Sequence, residues 1–458
     1  MNLVMIVSDT FRADHLGAYG ADWIRTPNLD ALSRRSVLFA NHHAASFPTM
    51  PARADFFLGK WTFTYRGWEP LGAGETTLAA VLSSAGYRTM GVADTPFYVG
   101  GGFAYDRGFH QFTDLDTQRR GGKEAPNHPQ IIPRVRRSEY DYCAPRTMAL
   151  AEQYLERLLD DRFFLLIDTW DPHEPWDPPA WYVRPYLPDY DGQVVRPPYA
   201  QWREVGLTEH DVAVAHACYA GEITMVDRWI GRVLERLESL GIADDTAIVF
   251  TSDHGYYFGE HGYLGKMVIA REEGGQAVWG RSPLYQEITH VPLLVSAPGL
   301  APGRVDALTS AVDIMPTILD LLGVDVPADV HGQSLLPLAR GGAGGRQFVV
   351  TSPPLANPGD PIHVVDDVMR YVAAFLPATV TTPDWTLLST VPGEPVELYD
   401  MRVDPAQAQN VAAAHPDVVD ELRGRFLRLL EDLETPEWYL GPRQFGIDRP
   451  GAATVAAV

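Results

Sequence analysis

Two apolar runs that end in aspartate constrain the fold of this chain more than any other feature. Residues 2–8 lead directly into Asp9, and residues 246–252 lead into Asp253 and His254. Short apolar runs of this length are typical of strands that are buried in a sheet. Open α/β sheets bind ligands beyond the carboxyl ends of their strands. We therefore expect the two acids to converge on one point at the edge of a sheet.

The alternation of helical and extended patterns predicts the class of fold. Helices are predicted at 29–36, 77–84, 145–159, 208–240 and 313–322, and further strands at 163–168 and 291–296. Strands that alternate with helices are typical of a parallel sheet covered on both faces. We expect an α/β domain with a large, mainly parallel sheet flanked by helices.

The pattern changes near residue 345, where Gly-Gly-Ala-Gly-Gly at 341–345 resembles a flexible junction. Short strand-like segments follow at 347–351, 371–375 and 385–388, with one helix at 416–433. The sequence thus predicts a catalytic domain at 1–345 and a small α+β subdomain with an antiparallel sheet at 346–458. Segments 118–140 and 172–205 are predicted to be long surface loops near the site.

The composition narrows the possible partners. A net charge of −22 argues against non-specific binding to nucleic acid or to anionic membranes. An anionic substrate therefore needs a local pocket of metal and basic residues. No stretch reaches the length of a transmembrane helix, and Asp9 interrupts the first apolar run, so we expect no membrane partner and no signal peptide. The predicted location is cytoplasmic.

Asp9, Asp253 and His254 are candidate metal ligands. Two carboxylates and one imidazole suit manganese, calcium, magnesium or iron better than a structural zinc. The alternative for each aspartate alone is a helix cap or a turn. The Asp-His pair, in a second strand-end context, favours ligation.

The motif Thr49-Met-Pro-Ala-Arg53 offers a nucleophile and a cation. Coordination to a divalent ion lowers the pKa of a hydroxyl such as that of Thr49. Arg53 lies about one helical turn later, and we expect its guanidinium to contact the non-bridging oxygens of a phosphate-like group. Pro51 suits the first turn of a helix whose N-terminus faces the anion. The alternative is an ordinary helix start with a surface arginine.

Two further residues are candidates for assisting the leaving group. His173 follows the predicted strand at 163–168, which places it on a loop at the same sheet edge, where an imidazole can protonate an alkoxide. Lys266 follows the Asp-His pair and can neutralise charge on the bridging oxygen. The alternative for both residues is a solvated loop position.

These residues, in this order, resemble the sulfatase family of the alkaline phosphatase superfamily. The resemblance covers nearly the whole chain, through residues 2–9, 16–20, 26–30, 49–53, 86–89, 219–227, 250–255, 291–293 and 397–411. It implies a hydrolase that acts on sulfate or phosphate esters through one bound divalent cation. It also implies metal-ligand positions for Asp9, Thr49, Asp253 and His254, an anion-stabilising role for Arg53, and leaving-group roles for His173 and Lys266.

Three departures distinguish this chain from ordinary sulfatases. Thr49 stands where those enzymes carry a cysteine or serine that is converted to formylglycine, so no formylglycine is expected here. Thr10 follows Asp9 in place of a second acid, and His254 replaces a more usual asparagine. The single acid and the Asp-His pair are more similar to the phosphonate monoester hydrolase and phosphodiesterase branch, which normally keeps the modified cysteine.

The position of the family's lysine is open. Lys266 is favoured because Leu264-Gly-Lys follows the histidine loop, as in the phosphonate hydrolase branch, and Arg281 is the alternative. With Lys266 in that role, residues 267–280 are an insertion that can contribute to a substrate lid.

The expected function is therefore metal-dependent hydrolysis of a small anionic ester, a phosphodiester or a phosphonate monoester, through a covalent phosphothreonine. Manganese and calcium are the favoured ions, and magnesium, iron and zinc are alternatives. The other functions considered are sulfate-ester hydrolysis, sulfuryl or phosphoryl transfer, and anion binding without catalysis. Association into a homo-oligomer is left open.

Overall fold

The computed structural model describes residues 1–95, 97–99, 102–115, 138–271, 277–357, 362–364, 371–373, 375–389, 391–446 and 454–455. The strands are β1 (Asn2–Ser8), β2 (Val37–His43), β3 (Arg88–Ala93), β4 (Gln111–Asp114), β5 (Phe163–Thr169), β6 (Ala200–Gln201), β7 (Thr246–Thr251), β8 (Tyr257–Phe258), β9 (Tyr263–Gly265), β10 (Ile269–Arg271), β11 (Ala277–Trp279), β12 (Leu293–Ser296), β13 (Gly303–Ser310), β14 (Val349–Thr351), β15 (Ile362–Val364), β16 (Tyr371–Ala373), β17 (Thr379–Thr381), β18 (Trp385–Leu388), β19 (Glu397–Asp400) and β20 (Thr454–Val455). The α-helices are α1 (Pro27–Ser33), α2 (Thr49–Leu58), α3 (Leu78–Ser84), α4 (Cys143–Arg157), α5 (Ala180–Val183), α6 (Glu209–Ser239), α7 (Gln286–Thr289), α8 (Ile314–Leu322), α9 (Leu336–Ala339), α10 (Pro416–Asp432) and α11 (Glu437–Phe445).

An eight-stranded sheet forms the centre of the molecule, in the order β13-β2-β12-β7-β1-β5-β3-β4. Strand β1 lies between β7 and β5 and is parallel to both. Strand β12 is antiparallel to both of its neighbours. The predicted large, mainly parallel sheet flanked by helices is confirmed.

Each face of the sheet packs against its own layer of helices. In β1, Val4 and Ile6 join the apolar cluster formed with α1, α4 and α6, whereas Leu3, Met5 and Val7 join the cluster formed with α2, α3, α8 and α10. Successive side chains of a strand point to opposite faces, so a strand covered on both faces must be apolar throughout. This explains why the first run of the sequence is uninterrupted.

The longest helix begins where the sequence predicts. The side chain of Thr208 accepts a hydrogen bond from the backbone N–H of Asp211, whose carboxylate accepts from the N–H of Thr208. This reciprocal pair satisfies donors that the first turn of a helix leaves free. Helix α6 then crosses one face of the sheet and buries an apolar stripe against it.

The C-terminal part contains the small antiparallel sheet that was predicted, in the order β14-β17-β18-β19. Helix α10 packs Leu422, Phe426 and Leu430 into the same apolar cluster as the main sheet. The boundary between 345 and 346 remains a prediction. Most of the predicted loop at 118–140 lies outside the described residues, whereas 172–205 is a long connection that contains only α5 and β6.

Within the described part of the chain, every helix is too short or too polar to cross a bilayer.

Candidate metal and catalytic site

Two neighbouring parallel strands bring the predicted acids together. Val7 of β1 pairs with Thr251 of β7, so Asp9 and Asp253 each follow two residues later at the same edge of the sheet. Thr10 turns with φ 56°, and its N–H donates to Asp253 Oδ1 at 2.9 Å. The convergence expected from the sequence is therefore present in the structure.

Asp9, Asp253 and His254 form a fully buried donor set. One ligand atom from each residue lies within 4.8 Å of the others. Neither Asp9 carboxylate oxygen accepts a hydrogen bond from the described residues, and His254 Nε2 has no hydrogen-bond partner among them. The other ring nitrogen, His254 Nδ1, lies 3.0 Å from the Gly255 carbonyl. Asp9 Oδ2 has an ion-pair contact with Arg53 Nη1 at 3.0 Å, whereas Asp9 Oδ1 and His254 Nε2 are left for another partner. Buried polar atoms are seldom left unsatisfied, and a bound cation would satisfy both of these atoms.

The titration of the three side chains fits this interpretation. Burial and the neighbouring Asp253 raise the pKa of Asp9 well above its usual range, against the opposing charges of Arg53 and Lys266. Burial also acts to raise the pKa of Asp253, but the attraction of His254 and Arg53 outweighs it and lowers that pKa. Burial lowers the pKa of His254 to about 4, so its imidazole is neutral at neutral pH, the form that ligates metals. The residues present therefore fit a divalent ion, which enzymes of this superfamily use.

Arg53 lies at the centre of the buried charges. Its Nε and Nη2 each donate to Asp168 at 2.8 Å, while Nη1 donates to Asp253 Oδ2 at 2.7 Å. Nη1 also lies 3.0 Å from Asp9 Oδ2. The guanidinium thus contacts three carboxylates, where the sequence predicted an orientation towards substrate oxygens. The physical reason is that three buried carboxylates at neighbouring strand ends require a compensating cation. A role of Arg53 in anion binding remains a prediction.

Asp168 is the residue that the sequence analysis missed. It lies in the C-terminal half of β5, beside β1, and accepts hydrogen bonds from Thr95 Oγ1 and Tyr98 OH at 2.5 Å each, in addition to those from Arg53. The signal was available, because Asp168 ends an apolar run just as Asp9 and Asp253 do.

Thr49 is the first residue of α2 and is buried next to this network. Its carbonyl accepts a hydrogen bond from Arg53 Nη1 at 3.1 Å, one turn along the helix. The same Nη1 contacts Asp9 and Asp253, so a single guanidinium nitrogen connects the start of α2 with both carboxylates. The helix start expected around Pro51 is observed, and the nucleophilic role of Thr49 remains a prediction.

His173 and Lys266 are brought together although 93 residues separate them. Lys266 Nζ lies 2.5 Å from His173 Nε2, and His173 Nδ1 lies 2.6 Å from the Glu174 carbonyl. Nδ1–H therefore donates to the carbonyl, and Nε2 accepts from the ammonium. Trp170 stacks on the imidazole with a centroid separation of 3.6 Å, and both His173 and Lys266 are buried.

Arg281, the alternative to Lys266, lies in a different environment. It is paired with Glu394 at 3.8 Å and Glu397 at 3.6 Å, next to the small C-terminal sheet. The structure therefore groups Lys266, and not Arg281, with His173. The predicted insertion at 267–280 contains the antiparallel pair β10 and β11, and residues 272–276 within it lie outside the described residues.

Two buried carboxylates and one imidazole lie at the carboxyl edge of a mainly parallel sheet, together with a lysine–histidine pair, and these groups are chemically suited to metal-assisted hydrolysis of an ester bond. The sequence model of the sulfatase family matches residues 1–324, and the chain belongs to that family.

Relatives of known sequence include both phosphatase-like and sulfatase proteins. The multifunctional alkaline phosphatase superfamily protein PehA of Trinickia caryophylli is 28% identical over 414 residues, which cover 74% of this chain and 77% of that protein. The choline-sulfatase of Rhizobium meliloti is 24% identical, over 95% of this chain and 86% of its own.

Two solved structures share the fold over almost the entire chain. The phosphonate monoester hydrolase of Agrobacterium radiobacter superposes with a TM-score of 0.73 at 25% identity, covering 95% of this chain and 97% of its own. The phosphonate monoester hydrolase of Silicibacter pomeroyi superposes with a TM-score of 0.75 at 24% identity, covering 99% of each chain.

Proposed function

We propose that the protein is a metal-dependent hydrolase of phosphodiesters or phosphonate monoesters that uses Thr49 as its nucleophile. The observation that carries this proposal is the buried donor set of Asp9, Asp253 and His254, whose unsatisfied atoms lie beside the helix that begins at Thr49. The likeness to the phosphonate monoester hydrolase of Agrobacterium radiobacter, at 25% identity, supports the choice of phosphorus over sulfur. Manganese or calcium is the proposed ion, with magnesium, iron or zinc as alternatives.

Different residues of the site have different roles in cleavage of the ester bond. Asp9, Asp253, His254 and Thr49 would hold a divalent ion, and such an ion would supply positive charge that favours the ionised hydroxyl and the developing negative charge on phosphorus oxygens. The Thr49 hydroxyl releases its proton to solvent, and Oγ attacks the phosphorus in line, so that its bond to phosphorus forms as the bond to the leaving oxygen breaks. Arg53 keeps the carboxylates of the donor set in place and adds positive charge next to the reacting group.

The leaving oxygen needs a proton or a cation at the moment of departure. The Lys266 ammonium and the His173 imidazole share a hydrogen bond of 2.5 Å, and a proton from this pair passes to the departing oxygen. Water then attacks phosphorus, breaks its bond to Thr49 Oγ and restores the free hydroxyl.

Sulfate-ester hydrolysis is the second candidate, because the choline-sulfatase relative matches 95% of this chain. The residue at position 49 argues against it. A formylglycine hydrate expels sulfate by elimination, whereas a threonine that carries a sulfuryl group has to be released by direct attack of water. A phosphorylated threonine is open to in-line attack by water.

Substrate comparison together with substitution at position 49 tests the proposal. Hydrolysis of p-nitrophenyl methylphosphonate and of an aryl phosphodiester is expected to exceed hydrolysis of p-nitrophenyl sulfate, measured as kcat/KM with manganese and with calcium. Thr49→Ala is expected to lower kcat/KM for the phosphorus esters by at least about 150-fold, equivalent to about 3 kcal/mol of transition-state stabilisation. Thr49→Ser, which keeps a hydroxyl, is expected to retain a large part of the activity.

Intact mass measurement provides the control, because it verifies that residue 49 is unmodified in the wild type and in both variants. A higher kcat/KM for the aryl sulfate, or a Thr49→Ala variant as active as the wild type, would contradict the proposal.

A further inference from the structure

Glu174 lies against both members of the Lys266–His173 pair, and we propose that it is a positioning residue that keeps this pair protonated and ready to donate to the leaving group. The inference rests on the proposed function, because it concerns the proton donor of the same reaction. The Glu174 side chain is buried, with Oε1 3.8 Å from Lys266 Nζ and Oε2 3.4 Å from His173 Nδ1. One carboxylate therefore lies close to the ammonium and to the imidazole at the same time.

Glu174 also orients the imidazole through its backbone. The Glu174 carbonyl oxygen lies 2.6 Å from His173 Nδ1, so a backbone oxygen and a side-chain oxygen of one residue face the same ring nitrogen. Two acceptors require that this nitrogen carries a hydrogen. The other ring nitrogen, Nε2, then faces Lys266 Nζ at 2.5 Å, and the additional proton of the pair lies between these two nitrogens.

The positive charge of the pair needs a negative partner, because Lys266 is only 5% exposed and His173 only 9%. A charge removed from water is costly unless an opposite charge lies close to it. Asp9 also attracts Lys266, but its Oδ2 contacts Arg53 Nη1 at 3.0 Å and it belongs to the metal donor set. Glu174 is therefore the carboxylate that compensates the charge of the pair. Three further titratable groups face the pair or this carboxylate, and they are uncharged at neutral pH: His254, Tyr199 and Tyr256.

Tyr199 connects the Glu174 carboxylate to the segment that carries Lys266. The Tyr199 hydroxyl donates a hydrogen bond to Glu174 Oε1. The Tyr199 carbonyl accepts from the Ile269 N–H at 2.7 Å, and strand β6, which begins at the next residue, pairs with β9, which ends one residue before Lys266. The carboxylate and the ammonium are thus positioned by the same short piece of backbone.

The role in the reaction follows from the proton that the leaving oxygen takes. As the bond from phosphorus to this oxygen breaks, the oxygen keeps the electron pair and accepts a proton from the Lys266–His173 pair. The pair loses its positive charge and regains a proton from solvent, which received one from Thr49. A pair that has already lost its proton cannot assist. A nearby carboxylate favours the protonated form, so removal of the Glu174 charge leaves a smaller share of the enzyme able to donate.

Glu174→Gln removes the charge and keeps the shape, and two esters of similar size test its effect. p-Nitrophenolate departs readily without a proton, whereas the more basic phenolate depends on one. We expect Glu174→Gln to lower kcat/KM at least about 30-fold for phenyl methylphosphonate and less than about threefold for p-nitrophenyl methylphosphonate, since loss of a general acid costs about 10²–10⁴-fold. Equal losses for the two esters are the result of a merely structural change and would overturn the proposal.

Two further variants connect the effect to the pair. Glu152→Gln is the matched control, because Glu152 is as buried as Glu174 and pairs with a different cation, Arg232, at 3.0 Å. The ratio of the two kcat/KM values in this control is expected to stay within about twofold of the wild-type ratio. In a Lys266→Met background, addition of Glu174→Gln is expected to leave the ratio unchanged, because Glu174 acts through the pair. A further decrease in kcat/KM for the phenyl ester alone would overturn the proposal.

The pH dependence of kcat/KM for the phenyl ester gives a second, independent measurement. The rate is expected to decline at alkaline pH as the pair loses its proton, and in Glu174→Gln the decline is expected to begin at lower pH because the protonated form is less stable. An alkaline decline at the same pH in both proteins would contradict the role of Glu174. Tyr199→Phe, which removes the hydrogen bond to Oε1 and keeps the ring, is expected to change the ester ratio in the same direction by a smaller factor. When circular dichroism shows that Glu174→Gln does not fold, a wild-type ratio in Tyr199→Phe overturns the proposal.

The wild-type enzyme separates failure of this inference from failure of the proposed function. Hydrolysis of both phosphonates by the wild type, with equal losses in Glu174→Gln, overturns the role of Glu174 alone. When p-nitrophenyl sulfate is cleaved and the phosphonates are not, the proposed function fails, and phenyl sulfate and p-nitrophenyl sulfate then test Glu174 with the same expected difference.

Discussion

Individual side chains set the charge balance of the site, and Arg53 is central to that balance. One guanidinium binds Asp168 through two nitrogens and reaches Asp9 and Asp253 through the third. Planar, bidentate pairing of this kind is available to arginine but not to lysine. Arg53 contacts all three buried carboxylates, and a bound metal ion would add further compensating positive charge beside Asp9 and Asp253.

Replacement of Arg53 by lysine is expected to unfold the protein at a markedly lower temperature. A lysine cannot bridge Asp168 and Asp253, so buried carboxylates lose their partners, at a cost of about 3–5 kcal/mol. Arg281→Lys is the control, since its pairs with Glu394 and Glu397 are longer than 3.5 Å and not fully buried. Thermal unfolding by circular dichroism measures both variants, and an equal shift in the two would show that the Arg53 network is not what stabilises the site.

Among the secondary-structure elements, helix α2 has the greatest influence on the site, because it presents Thr49 and Arg53 together. Its orientation is fixed by Asp55 on the same helix. The buried Asp55 carboxylate accepts hydrogen bonds from the backbone N–H groups of Ser46 and Thr62, at 2.5 and 2.9 Å. Asp55 thereby ties the helix to the segment that precedes it and to the segment that follows it.

Asp55→Asn is expected to loosen α2. The two backbone donors approach different carboxylate oxygens, and an amide nitrogen cannot accept from either, so one N–H is left unsatisfied at a cost of about 1–3 kcal/mol. The melting temperature is the readout. Asp329→Asn provides the comparison, because exposed Asp329 forms a surface ion pair with Lys60, worth about 0–1 kcal/mol. An Asp55→Asn variant as stable as Asp329→Asn would contradict the anchoring role.

The elements differ in how well the sequence predicts them. Strands β1, β5 and β7 and helix α6 are predicted closely. Their signals, uninterrupted apolar runs and a capping threonine, depend only on residues that are near one another in the sequence. Strand β2 was not predicted, since only its first four residues are apolar and Asn41, His42 and His43 follow them. The antiparallel direction of β12 follows from chain topology, which no local pattern encodes.

Local sequence patterns likewise predict only part of the site. Asp9 and Asp253 converge as predicted, because adjacent parallel strands must place their ends together. The contact of Lys266 with His173 depends on two long loops, so the sequence suggested both residues without fixing their distance. The bond of Arg53 to Asp168 was missed because pairing partners far apart in sequence leave no local signal.

At the level of the whole molecule, two apolar layers enclose one sheet, and histidines are buried within that assembly. His42, at the end of β2, is fully buried with Nδ1 2.9 Å from Thr309 Oγ1. Burial lowers the pKa of His42 to about 3. An unfolded chain exposes the same imidazole, with a pKa near 6.5.

Stability is therefore expected to fall as the pH drops below about 6.5. Between pH 6.5 and about pH 3 the unfolded state binds a proton at His42 that the native state does not bind. The free energy of unfolding therefore decreases by up to about 1.4 kcal/mol for each pH unit in this range. His42→Gln removes this contribution, and the gap in melting temperature between wild type and variant is expected to narrow from pH 7 to pH 5. His210→Gln, at an exposed position, serves as the control. A gap for His42→Gln that is constant with pH would contradict the buried, neutral state of His42.

The number of metal ions bound per chain is the decisive measurement for the site formed by Asp9, Asp253 and His254. The protein, stripped with a chelator, is titrated with manganese by calorimetry, and bound metal is counted by elemental analysis. We expect one ion per chain in the wild type, loss of binding in Asp9→Asn, and retention in Asp94→Asn, whose buried carboxylate lies outside the donor set. A wild-type protein that binds no ion, or an Asp9→Asn variant that binds it as tightly as the wild type, would contradict the assignment of the site.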